Sequence, residues 1–286
     1  MILSKSDLQE ITEVAIAAAK EAGQYISTTT QHPIQVEKKV AGESLASQVV
    51  TEVDRKSQTI ILSRLLSATK KYDLGLLTEE LEDDKSRFIK DYFWCIDPLD
   101  GTLPFTEGVA GYAVSIALVS KAGFSVLGVV YDPFHKNLYH GIFNGGAFKN
   151  GQPWSIQPSD SNEFTFITDR SFLTLPFYEK VNKRLKALGA VKTIQNGGAV
   201  MNALWVAEQY PACYFKFPKA TLGGGSLWDY AATTCILAEL EISVTDIYGN
   251  PLDLNRVDST FLNHMGVAIS STEKLKAMIE EMYIAL

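Results

Sequence analysis

Trp94-Cys95-Ile96-Asp97-Pro98-Leu99-Asp100-Gly101-Thr102 closes an apolar run that begins at Tyr92 and stops abruptly at two carboxylates three residues apart. The aromatic and apolar residues from Tyr92 to Ile96 read as a buried strand running into a turn. Pro98 fixes one dihedral of that turn, and Gly101 permits a tight bend. A bend of this kind can aim both carboxylates and the Leu99 carbonyl at one point. Hard divalent cations take such mixed carboxylate and carbonyl oxygens. The Gly101 and Thr102 amides would then open a helix, where free N–H groups bind phosphate oxygens. Taken alone, the same residues would also suit an Asp-Pro turn with Asp100 as a helix cap.

Upstream of this stretch, apolar residues at three- and four-residue steps predict helices over 6–28 and 51–68. Residues 34–50 fit a hairpin or a loop. Gly75-Leu76-Leu77 is a short apolar run ending in Thr78-Glu79-Glu80, and the charged segment 82–90 reads as solvated. Downstream, strands are expected at 112–119, 125–131 and 138–142, with Asn150-Gly151 as a tight hairpin turn. After a composition shift at 155–163, strands (164–167, 190–194, 213–217, 267–270) alternate with helices (176–188, 199–208, 228–240, 272–283). The expected division is an N-terminal α+β domain, 1–156, with an antiparallel sheet and most of the acidic site, and a C-terminal α/β domain, 157–286.

The chain has 286 residues, 46% hydrophobic and 21% charged, which excludes disordered and low-complexity classes. Its 26 basic and 33 acidic residues sum to −7, a poor balance for gripping a nucleic-acid polymer. Cys95, Cys213 and Cys235 form no CxxC pair, are odd in number and lie far apart, as expected of reduced, buried thiols in a reducing compartment. No apolar stretch is long enough to span a membrane and no signal segment is evident, so the expectation is a full-length cytoplasmic protein without membrane association.

Three further places carry acids in telling contexts. Asp54 follows Val49-Val50-Thr51-Glu52-Val53, Glu79-Glu80 ends the short apolar run, and Asp229 opens the apolar helix Trp228-Asp229-Tyr230-Ala231-Ala232. Each alone would be a surface or capping residue. In this order, together with Asp97-Pro98-Leu99-Asp100-Gly101-Thr102, they resemble the inositol monophosphatase superfamily of magnesium-dependent, lithium-sensitive phosphatases. Ser115-Ile116-Ala117-Leu118, Gly128-Val129-Val130-Tyr131 and Gly146-Ala147-Phe148-Lys149-Asn150-Gly151 look like its central strands and hairpin.

The resemblance implies a layered α-β-α-β-α sandwich. It implies that Glu79, Asp97 and the Leu99 carbonyl hold one Mg2+, that Asp97, Asp100 and Asp229 hold a second, and that Glu79 helps with a weaker third through water. Asp54 and Thr102 would polarise the attacking water, with Glu79 alongside them in catalysis, and the Gly101 and Thr102 amides would hold the phosphate. Family members are often homodimers. Other phosphatase chemistries fit poorly: the carboxylates are Asp-x-x-Asp rather than Asp-x-Asp, and no cysteine heads a loop closed by arginine. A non-catalytic binding role is the alternative from another class, disfavoured because every acid of the motif is present.

For the substrate, a small soluble phosphate ester, the second half is the guide. Inositol monophosphatases usually place a Glu shortly before Trp-Asp. Here Tyr214-Phe215-Lys216-Phe217-Pro218-Lys219-Ala220-Thr221-Leu222 has no acid, and Lys216 and Lys219 could meet a second phosphate. Phe215 and Phe217 could stack on a base or fill strand core. The tail, with Phe261-Leu262-Asn263-His264-Met265-Gly266, is similar to the 3′(2′),5′-bisphosphate nucleotidase branch. Leu103-Pro104-Phe105 departs from the polar residues of both branches. Gly223-Gly224-Gly225 lacks the lysine of a P-loop and reads as a turn.

Overall fold

Helix periodicity in the first seventy residues produces two long helices with one apolar face each. The computed structural model describes residues 2–29, 36–38, 49–157, 159 and 161–284. Helix α1 (Lys5–Thr29) buries Ile11, Ala15, Ala18, Ala22 and Ile26. Strands β1 (Val36–Lys38) and β2 (Val49–Thr51) pair antiparallel, and the rest of the expected hairpin or loop at 34–50 lies outside the described residues. Helix α2 (Glu52–Lys71) follows, burying Val53, Ile61 and Leu65 beside the polar Asp54 and Ser57.

Next come β3 (Gly75–Thr78), β4 (Tyr92–Asp100), a five-residue helix α3 (Thr102–Thr106), β5 (Ala113–Ser120), β6 (Ser125–Asp132), β7 (Asn137–Ile142), β8 (Gly146–Lys149) and β9 (Gln152–Trp154). These strands form a seven-stranded sheet in sequence order, antiparallel except for the β3–β4 pair. Asn150 and Gly151 turn the β8–β9 hairpin with φ of 52° and 77°, as its Asn-Gly pair predicts. Strand β4 runs past its expected end at Ile96. Asp97 pairs with Ser115 and Asp100 with Ala113, so β4 carries an extra residue there. Pro98 has no N–H to give to the ladder, and a bulge accommodates it.

The second half contributes β10 (Phe164–Ile167), α4 (Tyr178–Ala187), β11 (Ala190–Ile194), α5 (Ala199–Glu208), β12 (Ala212–Lys216), α6 (Leu227–Ala238), β13 (Ser243–Thr245), β14 (Val267–Ser270) and α7 (Glu273–Ile284). Its sheet has the order β11-β10-β12-β14-β13. Strand β13 has no counterpart in the sequence reading, because three residues are too short to show a period.

Three apolar cores stack these elements into five layers, an α-β-α-β-α sandwich. Trp94, Ile96, Val114 and Ile116 join α1 and α2 on one face of the large sheet. Phe93, Cys95, Ala117 and Val130 face α5 and α6, which also meet Tyr214, Val267 and Ile269 of the small sheet. Phe166, Phe215 and Ala268 pack against α4 and α7. All three cysteines are buried and free. Among the described residues no helix is long and apolar enough to cross a membrane.

Helix α6 approaches the large sheet closely because two glycines make room. A Cβ on Gly128 would lie 2.1 Å from the Ala232 carbonyl oxygen, and one on Gly141 2.9 Å from the Ile236 Cα. Gly128→Ala is therefore expected to lift α6 and to cost about 1–3 kcal/mol. A denaturant melt with a midpoint equal to that of the wild-type chain would refute this seating of α6.

Candidate active site

Strand register brings the first acids together. Thr78 is paired with Ile96 in the parallel β3–β4 ladder, and the Glu79 amide donates to the Ile96 carbonyl at 3.2 Å. Glu79 therefore leaves β3 beside Asp97. The Asp97 carboxylate accepts the Leu99 amide at 3.0 Å, and the Thr102 hydroxyl donates to the Leu99 carbonyl at 3.4 Å. Gly101 takes φ 80°, and a Cβ there would fall 2.6 Å from the Gly111 carbonyl oxygen, so both its conformation and its surroundings require glycine.

Asp54, a surface residue on its own context, is 3% exposed. It lies one turn before Ser57, whose hydroxyl donates to the Pro98 carbonyl at 2.8 Å and ties α2 to the Asp97–Asp100 bulge.

Asp229 comes from the second half. It sits in the first turn of α6, half-buried, with its carboxylate accepting the Ser226 amide at 2.9 Å. Ligand atoms of Asp97, Asp100 and Asp229 all lie within 4.8 Å of one another. Three carboxylates from two segments meet here, Asp97 and Asp100 from β4 and Asp229 from α6, with Glu79 leaving β3 beside them, and the donor set is entirely hard oxygen, which suits magnesium rather than a soft metal.

The electrostatics record the crowding. Burial first, then Glu79, Asp100 and Asp229, push the Asp97 carboxyl well above the usual range, and the Leu99 amide offsets only part of this. Burial and Asp229 push Asp100 up in the same way, against the amides of Val200 and Ala199 and the charge of Lys216. Asp229 is raised to about 6, by burial and then by Glu79. Like charges held together out of water have this consequence unless a cation joins them.

Asp229 gives a test of that strain. The unfolded chain releases this proton near 3.8 and the native state near 6, so between these values the native state holds more protons. Metal-free stability therefore falls as pH rises through this window. Asp229→Asn keeps an acceptor for the Ser226 amide and removes the charge. In chelator at pH 7 it should gain on the order of 1–2 kcal/mol after solvent screening, several degrees in Tm. The gain should disappear at pH 4. Thermal melts at the two pH values check this, and a gain independent of pH would contradict it.

Two partners of the site come from residues that the sequence reading passed over. The first is Asn196-Gly197-Gly198. The Gly198 amide donates to the Gly111 carbonyl at 2.7 Å, and the Asp100 carboxylate accepts the Ala199 and Val200 amides at 3.1 and 2.8 Å. Asp100 is a helix cap after all, but of α5, almost a hundred residues away. The glycine pair between a strand and an apolar helix was the available signal. The second is Asp169, two residues beyond β10, which accepts from Asn202 (3.0 Å), the Tyr214 hydroxyl (2.9 Å) and Lys216 (2.7 Å). A lone Asp in a loop carries no local signal.

The two lysines differ. Burial would depress Lys216, but Asp169, Tyr230 and Asp229 together hold it above the usual lysine range. Lys219 exchanges hydrogen bonds with Asn263 through its backbone, and its ammonium lies over Gly223, which with Gly224 and Gly225 has positive φ. Phe215 is fully buried, and Phe217 packs on Phe172, Phe177 and Tyr283, so both fill core rather than face a base.

Comparison with known proteins identifies the family. Residues 7–282 match the profile of the inositol monophosphatase family. An inositol-1-monophosphatase of Bacillus subtilis is 26% identical over 279 residues, covering 95% of this chain and 96% of that protein. A 3′(2′),5′-bisphosphate nucleotidase, CysQ, of Salmonella typhimurium is 32% identical over 219 residues, 75% of this chain and 82% of that protein. The crystal structure of the extragenic suppressor protein SuhB from Bartonella henselae superposes with a TM-score of 0.75 at 26% identity, over 96% of this chain and 98% of that one. With a match that spans nearly every element described above, the chain belongs to the inositol monophosphatase family.

Proposed function

We propose that the protein is a Mg2+-dependent phosphomonoesterase that cleaves a small soluble phosphate ester with water, releasing the alcohol and phosphate. The observation that carries this reading is the convergence of Asp97, Asp100 and Asp229 within 4.8 Å, drawn from both halves of the fold. In it, Glu79, Asp97 and the Leu99 carbonyl would hold one cation, Asp97, Asp100 and Asp229 would hold a second, and Glu79 would help with a weaker third. When bound, such ions neutralise charge on the phosphoryl oxygens and lower the pKa of the attacking water.

The remaining work falls to the chain's own groups. The Gly101 and Thr102 amides hold the phosphate oxygens. Asp54 and the Thr102 hydroxyl orient the attacking water and accept its hydrogen bonds. Burial of Asp54 and its helix's tie to Pro98 support this role.

For the substrate we favour the 3′-phosphate of 3′-phosphoadenosine 5′-phosphate. Support comes from the absence of acid in 214–222 and from Lys216 and Lys219, which would meet the second phosphate. The competing reading is an inositol or sugar monophosphate, and one observation favours it. Asp169 already neutralises Lys216 at 2.7 Å, and its carboxylate could take sugar hydroxyls instead.

The test is phosphate release from 3′-phosphoadenosine 5′-phosphate and inositol 1-phosphate side by side, with magnesium, with EDTA and with lithium. The nucleotide should win, and EDTA should abolish turnover. A clear preference for inositol 1-phosphate would transfer the assignment to the competing reading. Magnesium-independent turnover would refute the mechanism.

A further inference from the structure

Arg87 lies in the segment whose charge predicted solvation, yet it is 1% exposed. It belongs to a 3-10 turn (Ser86–Phe88) that rejoins β3 after the excursion beginning at Glu79. The Ser86 hydroxyl accepts the Leu76 amide at 2.9 Å and closes the base of that excursion. Within it, Asp83 accepts the Lys85 amide at 2.9 Å and Arg87 Nε at 2.8 Å.

The other end of the guanidinium reaches a distant segment. Arg87 Nη1 donates to Asn255 Oδ1 and to the Arg256 carbonyl, both at 2.8 Å. Asn255 returns two bonds from Nδ2, to the Arg87 carbonyl at 3.2 Å and to the Lys121 carbonyl at 2.9 Å. The chain beyond Asn255 then runs along the start of α6. The Leu227 amide donates to the Thr260 carbonyl at 2.9 Å, the Leu262 amide to the Gly225 carbonyl at 3.0 Å, and Ser226 bridges Phe261. Residues 255–262 thus form a strap from the base of the Glu79 excursion to the residues that launch Asp229.

We propose that Arg87 and Asn255 are positioning residues that set the separation between Glu79 and Asp229. The inference rests on the reading of those two carboxylates as cation ligands. They stand on different elements, one after a sheet-edge strand and the other at a helix start, and this strap joins the segments that carry them, through Arg87 at one end and Gly225–Leu227 at the other. A buried arginine whose fork is matched to a carboxylate, an amide and a carbonyl holds its partners in one geometry. A lysine has the charge without the fork.

Asn255→Ala and Arg87→Lys test this by calorimetric Mg2+ titration of the folded full-length chain, with hydrogen exchange followed over residues 79–86 and 226–230. Both variants should bind Mg2+ about tenfold or more weakly, the scale seen when groups behind metal ligands are removed. Both segments should exchange faster, and phosphate release should recover to within roughly twofold of wild type at saturating Mg2+. Should Arg87→Lys fail to fold, Asn255→Ala carries the test, because Arg87 keeps Asp83 and the Arg256 carbonyl. A lower melting temperature with wild-type Mg2+ affinity would mean a purely structural clamp and overturn the inference alone. A wild-type chain that takes up no Mg2+ would overturn the cation-site reading and the inference with it.

Discussion

Asp97→Asn is expected to lose nearly all phosphate release while leaving the fold intact. Asp97 stands where the register of three strands converges. β3 delivers Glu79 to its side, β5 pairs with it at Ser115, and the bulge carries Asp100 and the Leu99 carbonyl next to it. In the proposed site it would serve both the first and the second cation. The amide is isosteric, and its oxygen still accepts the Leu99 N–H. What disappears is the charge, and the amide NH2 presents donors to the cations. Metal stabilisation of a phosphoryl transition state is worth several kcal/mol, so a loss on the order of 1,000-fold in turnover is expected. The measurement is turnover of the folded variant across a magnesium series. Near wild-type turnover at any concentration would remove Asp97 from the mechanism.

Gly198→Ala is expected to damage the site through contact alone. Gly198 has φ −64° and ψ 174°, a conformation alanine adopts without strain, so backbone preference costs nothing. The penalty is contact. The new Cβ would stand 2.3 Å from Asp100 Oδ2 and 2.6 Å from both the Gly101 nitrogen and its Cα. Backbone cannot swing aside as a flexible side chain could. The variant must push the α5 entry away from the Asp97–Thr102 turn, breaking the Ala199 and Val200 bonds to Asp100. Overpacking of this kind costs about 1–3 kcal/mol. Displacement of Asp100 and the phosphate-holding amides by a fraction of an ångström or more should lower turnover about 100-fold. Chemical denaturation and steady-state kinetics on one preparation check both halves. A variant with unchanged turnover would show that this seam does not position Asp100.

Much of this protein is determined by residues that act on their near neighbours. Helix α5 is legible from its apolar run at 199–208, and its bounds agree with that reading. The Asn150-Gly151 hairpin follows from a dipeptide that tolerates positive φ twice in succession. The Asp97–Thr102 turn is legible for a similar reason, since proline, glycine and two carboxylates within six residues restrict the backbone and define the chemistry together. Asp229 at an apolar helix start belongs to the same class of local signal.

Tertiary structure decided the rest. That Asp100 caps α5 rather than α3, that Asp169 holds Lys216, and that Arg87 is buried rather than solvated all depend on segments 47 to 169 residues apart. Such contacts come from sheet register and from the depth at which α5 and α6 lie between two sheets. Glycines such as Gly128, Gly141 and Gly198 set that depth through the side chain they lack, and an absent side chain contributes no hydrophobic period to a sequence. Local conformation therefore follows from turn chemistry and periodicity. The pairing of charges follows from which surfaces the layers bring into contact, because a buried charge takes its partner from whatever element packs against it.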